Sequence, residues 1–145
     1  MVLLKVIPTL RGVGLTDAAQ KIQIDRYSFK SNEGASIDFL DTLNRFEGWK
    51  AILNKSNGWI KYNSVNFSNR KFKSINVKAA SSTGAALEIR LNSAAGPVVA
   101  AIKIPAGREW TTMKATVKEL RQGIQNIVLI LKGDSSAEVD WITFE

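Results

Sequence analysis

The stretch AALEIRLN, residues 85–92, decides the fold. Leu87, Ile89 and Leu91 point one way, and Glu88, Arg90 and Asn92 point the other. That period of two belongs to a strand with one face in a core and one in water. KSINVKAA (73–80) repeats it with Ile75, Val77 and Ala79. Working outward, strand-like runs recur in KIQIDRY (21–27), ASIDFL (35–40), WIKYNSVNF (59–67), PVVAAIKIP (97–105), EWTTMKATV (109–117), NIVLILKG (126–133) and AEVDWITFE (137–145). SSTG (81–84), SAAGP (93–97), PAGR (105–108), RQG (121–123) and KGDSS (132–136) supply turn chemistry between them. VKELRQGIQ starts a helical turn that Gly123 ends early. About nine short strands with turns between them predict an all-β chain, a β-sandwich (jelly roll) of antiparallel strands.

The last run poses a problem. As a strand, AEVDWITFE puts Val139, Trp141 and Thr143 on one face and Glu138, Asp140, Ile142 and Phe144 on the other. Asp140 then shares a face with core-like residues, where a carboxylate needs a cation or hydrogen-bond donors beside it.

Composition bounds the chemistry. A chain of 145 residues with 45% hydrophobic and 23% charged residues is the size and make-up of one globular domain. With no Cys and no His, it has no disulfide, thiolate metal site, Ser-His-Asp triad or His-bound zinc. Carboxylates such as Asp38 with Asp41, or Glu138 with Asp140, satisfy a glycosidase pair by number alone, and the domain is expected not to be an enzyme. A net charge of +7 means either a solvated basic surface or affinity for a polyanion, acidic polysaccharides included. The densest basic stretches, NRKFK (69–73) and KATVKELR (114–121), do not interleave aromatics as a base-stacking platform does, so no nucleic-acid partner is expected. MVLLKVIPTL is too short for a membrane span and is broken by Lys5 and Pro8, so no membrane partner is expected and the segment reads as a junction from a longer chain.

From IQIDRY onward the chain resembles carbohydrate-binding module family 6. NGWIKYNSVNF (57–67), AALEIRLNSAAGPVVAAIKIP (85–105), GREWTT (107–112), IVLILKG (127–133) and VDWITF (139–144) carry the resemblance by their order and spacing. IPTLRGVGLTDAAQKIQIDRYSF (7–29) is similar to the junction before such a module at the C-terminus of family 43 glycoside hydrolases. The resemblance implies residues 1–20 as a leading segment and 21–145 as a jelly-roll module. It implies a non-catalytic partner of plant-wall β-glycans such as xylan or arabinoxylan, on the same chain as a catalytic hydrolase domain. It implies an exported protein, extracellular or periplasmic.

It also implies a structural calcium ion held by Gln23, Asp25 and Asp140, oxygen donors that suit a hard cation. The alternative is that Asp25 and Asp140 pair with Arg26, Lys21 or a backbone amide. The family's apical sugar site uses two aromatics and an asparagine, and the matching positions here are Leu53, Gly107 and Glu138. All three are replaced, and a fold does not carry over a site whose residues are missing. Trp59, Trp110 and Trp141 match core positions of the family. Trp49 and Phe46, in NRFEGWKAILN (44–54), are expected in a loop bordering the apical site, with Trp49 as a relocated sugar platform. Candidate carbohydrate contacts are therefore Trp49, Phe46, Glu138 and Arg90, with Glu88, Asn92, Lys61, Tyr62 and Asn63 beside Arg90 on an outward sheet face. The competing expectation is a structural accessory domain that has lost its glycan site and packs on a family 43-type catalytic domain.

Overall fold

A computed structural model describes residues 15–44, 48–118 and 120–145, without the side chains of Asp25 and Arg108. Twelve strands occur among these residues: β1 (Thr16–Asp17), β2 (Ile22–Gln23), β3 (Phe29–Lys30), β4 (Ala35–Phe39), β5 (Trp49–Leu53), β6 (Trp59–Asn66), β7 (Ser74–Ser81), β8 (Ala85–Leu91), β9 (Val98–Ile104), β10 (Gly107–Thr116), β11 (Ile124–Lys132) and β12 (Ala137–Phe144). Apart from KIQIDRY, the strand-like runs form strands close to the expected bounds. The count rises above nine because of two-residue pairings at the start of the chain and β5, a strand where a loop was expected.

Two sheets stack face to face. The first runs β1-β6-β11-β8-β9 with β3 on β6; the second runs β10-β7-β12-β5-β4 with β2 on β12. All pairings are antiparallel except β1 with β6. Leu87, Ile89 and Leu91 of β8 meet Ile75, Val77 and Ala79 of β7 in one core, as their alternation predicts. Phe67, Phe72 and Phe144 close one end with edge-to-face contacts. Ala18, inside the segment expected to lead into the domain, is buried in the core, and β1 just before it pairs with β6.

Four expectations are corrected. KIQIDRY is not one strand: after Ile22–Gln23 the chain turns through a 3-10 segment, Ile24–Arg26, whose Ile24 carbonyl accepts the Tyr62 hydroxyl at 3.0 Å. Tyr62 is thus buried and does not face the solvent beside Arg90. In β12 the register shifts between Val139 and Trp141. That β-bulge resets the alternation, so Ala137 and Val139 point inward before it and Ile142 and Phe144 after it. Glu138 therefore leaves the face of Ile142 and Phe144 and points outward with Trp141 and Thr143. Finally, Trp59, Trp110 and Trp141 are only partly buried; none belongs to the core cluster.

Candidate functional site

Two surfaces gather the polar and aromatic groups. The first is a cleft of about 330 Å³ at one end of the sandwich, lined by Ala80, Ser81, Ser82, Gly107, Ser136, Ala137 and Glu138. The end of β7 and the starts of β10 and β12 shape it. The Ser81 hydroxyl donates to the Ser136 carbonyl at 2.6 Å, and Lys50 Nζ meets Glu138 Oε1 at 3.1 Å. Gly107 and Glu138, far apart in sequence, are thus brought together as the resemblance implies. Leu53 is not at the rim: it ends β5, opposite Ala137, and is buried. Among the described residues, no aromatic lines the cleft.

Trp49 lies elsewhere. It opens β5 while Leu53 closes it, which places it roughly 13 Å from the cleft end. Its ring stacks on Phe39 at 4.2 Å between centroids, so one ring face is occupied by another side chain. The expected loop position is therefore corrected to a strand position. Phe46 falls outside the described residues.

The second surface is the outer face of the first sheet, and Arg90 belongs to it. Arg90 donates from Nε and Nη2 to Glu88 Oε2 at 3.1 and 2.7 Å, and from Nη1 to the Gly96 carbonyl at 3.4 Å. This fork fixes both side chains on the strand surface. The register gives the rest. Trp59, Ile130, Glu88 and Ala101 form one row across β6, β11, β8 and β9. Phe29, Lys61, Val128, Arg90 and Val98 form the next row. Val128 and Ile130 lie outside the core cluster, on the outward side of β11, yet are 0% and 3% exposed. Phe29 is 57% exposed at the edge of the same face. An apolar floor, two aromatics and a charged fork thus share one surface.

Sequence reasoning missed Trp59 and Phe29 here. The signal was IVLIL (127–131): an apolar run without alternation marks a strand covered on both faces. An outward apolar floor needs companions, and Trp59 is one.

Asp140 finds its cation in Lys78, Nζ to Oδ2 at 3.4 Å, and is the single buried carboxylate among the described residues. That is neither Lys21 nor Arg26. Lys21 lies over the Trp141 ring at 4.7 Å. Gln23 is exposed and pairs with Trp141, the outward residue after the bulge. Asp140 and Gln23 alone therefore do not complete a calcium site, and among the described residues no three acidic side chains cluster. The expected set turns on Asp25, whose side chain lies outside the described ones.

The comparisons with known proteins agree with this architecture. The model of the carbohydrate binding module (family 6) matches residues 21–145. An arabinoxylan arabinofuranohydrolase of Paenibacillus polymyxa is 28% identical over 92 residues, 61% of this chain and 14% of that enzyme. Among solved structures, a β-1,3-glucan binding family 6 module from Bacillus halodurans superposes with a TM-score of 0.79 at 26% identity, over 91% of this chain and 99% of that one. A family 6 module from Clostridium cellulolyticum in complex with xylose gives 0.78 at 25% identity, over 90% and 99%.

Proposed function

The chain belongs to family 6 of the carbohydrate-binding modules, a family of non-catalytic domains, and from that premise we propose that it holds a plant-wall β-glycan of the xylan type on the outer face of its first sheet. One observation carries this: the Trp59 ring stands beside the buried Ile130, with the Glu88–Arg90 fork on the other side. Trp59 and Glu88 are two strands apart, roughly 10 Å, about the span a pyranose ring and its hydroxyls need. The apolar face of the sugar packs on Trp59 and the floor, where water is already displaced. Glu88 accepts from sugar hydroxyls and Arg90 donates to them. The xylose-bound relative and the arabinoxylan-directed one support a pentose-based polymer.

The module works beside a catalytic glycoside hydrolase domain of the same chain, raising that domain's effective substrate concentration. This part rests on the arabinofuranohydrolase relative, of which the match spans 14%. Such a protein acts where the polymer is, outside the cell or in the periplasm. A structural calcium ion, held by Asp140, Asp25 and Gln23, belongs to the same proposal. Its support is the buried Asp140 and the turn carrying Asp25, which packs against β5 and β12.

A second function is favoured by the end cleft, which offers serines, Gly107 and Glu138 but no ring for stacking. There the domain keeps the fold, binds no glycan and braces a family 43-type catalytic domain.

Calorimetric titration with xylo- and arabinoxylo-oligosaccharides separates these. Trp59→Ala is expected to weaken binding by about 5- to 150-fold, since stacking on one aromatic accounts for about 1–3 kcal/mol in comparable ring contacts. Binding that survives Trp59→Ala but falls with Glu138→Ala moves the site to the end cleft. Binding lost in Trp49→Ala moves it to the Phe39–Trp49 stack. No binding by the intact chain favours the bracing role.

A further inference from the structure

The two sheets differ in charge. On the outer face of the second sheet, Lys50, Lys78 and Lys114 are each matched by a carboxylate: Glu138 at 3.1 Å, Asp140 at 3.4 Å and Glu145 at 2.6 Å. The four long strands of the first sheet, β6, β11, β8 and β9, contain one acidic residue, Glu88, and Arg90 already occupies it. Lys61, Lys103 and Lys132 on those strands have no carboxylate partner among the described residues; Lys132 donates only to the neutral Asn57 Oδ1, at 3.1 Å.

Their positions form a pattern. Lys132, Ala86 and Lys103 make a row across β11, β8 and β9, next to the Trp59–Ile130–Glu88–Ala101 row. The Lys61–Val128–Arg90 row runs along the other side. Cations therefore flank the aromatic row on both sides, each roughly 7 Å away along the strands. Ala86 and Ala101 are small, so the space between Lys132 and Lys103 stays open for a side group. A sugar chain lying on Trp59 and crossing the strands projects its substituents toward these ammonium groups. We infer that the preferred ligand is an acidic glycan, a β-linked backbone carrying uronic acid side groups, whose carboxylates meet Lys103 and Lys132 while a ring stacks on Trp59.

This inference rests on the glycan face proposed above, and the test separates the two. Binding of the whole chain to glucuronoxylan is compared with binding to the same polymer after its carboxyls have been reduced to alcohols. At low salt the native polymer is expected to bind about two- to fivefold tighter for each exposed carboxylate contact. The preference should shrink as ionic strength rises toward ~0.15 M, where the screening length falls to about 8 Å. Lys103→Gln with Lys132→Gln is expected to remove the preference and leave binding of the reduced polymer unchanged. Lys114→Gln, on the opposite sheet, removes a charge and keeps the preference. Equal affinity for both polymers overturns the inference while the glycan face stands. A preference that persists in the double variant also overturns it. Polyglutamate bound as tightly as native glucuronoxylan, and insensitive to Trp59→Ala, reduces the effect to bare charge and overturns it too. Failure to bind either polymer overturns both proposals.

Discussion

Asp140 shows how one residue is held. It is 6% exposed, at the bulge of β12, and Lys78 reaches it from the neighbouring strand β7. Removing the cation leaves a buried carboxylate without its partner. Lys78→Met is therefore expected to destabilise the domain by about 1–3 kcal/mol, measured by urea denaturation. The Lys78 stem is partly exposed, so water relieves some of the loss. Calcium is tested at the same residue. If an ion ties Asp140 to Asp25, millimolar calcium raises the melting temperature, EDTA lowers it, and Asp140→Asn abolishes the difference. A melting temperature indifferent to calcium leaves Lys78 as the sole counter-charge and removes calcium from the proposal.

At the scale of elements, β12 and β11 break the simple alternation for different reasons. β12 carries an extra residue: Ala137 and Val139 fill the core before the bulge, Ile142 and Phe144 after it. Taking out one residue of a regular strand flips everything beyond it to the other face, whereas taking out the extra residue of a bulge restores plain alternation. Deleting Asp140 should thus keep Ala137, Val139, Ile142 and Phe144 in the core and preserve cooperative folding, read as a retained thermal transition by circular dichroism. A deletion mutant without a thermal transition would sink this account of the bulge. β11 instead is apolar on both faces. Ile127, Leu129 and Leu131 fill the core, while Val128 and Ile130 floor the outer surface. That second apolar face is what makes the first sheet fit a sugar.

Across the whole molecule, exposed ion pairs tie distant segments. Arg70 donates to Asp17 Oδ1 at 2.7 Å, joining β1 to the chain beyond β6, and holds the Asp17 pKa below its ordinary value, with the Ala19 amide adding to the effect. Lys114 does the same to Glu145, and Lys55 to Glu33. A carboxylate whose pKa is lowered by folding stabilises the fold above its unfolded pKa and loses that contribution as pH falls through the folded value. The melting temperature should therefore hold through neutral pH and fall below about pH 4, where these groups protonate. Because all three pairs face water, the acid-sensitive part should be small and should shrink in high salt.

The sequence by itself determined the sandwich. Alternation in AALEIRLN and KSINVKAA is a property of neighbouring residues, and burial of one face follows from it without knowledge of the partner strand. The resemblance set Gly107 and Glu138 at the positions of the family's second apical aromatic and its asparagine, and the structure puts both in one cleft, which no aromatic among the described residues lines. Only the tertiary structure decided that Trp59 faces out beside Glu88, that Trp49 is committed to Phe39, and that Lys78 answers Asp140. The reason is register. Which side chains meet across strands depends on bulges and pairings between segments distant in the chain, and no local pattern encodes them. The net charge of +7 was legible from composition, but the grouping of Lys61, Arg90, Lys103 and Lys132 around a single carboxylate arises only when β6, β11, β8 and β9 are laid side by side.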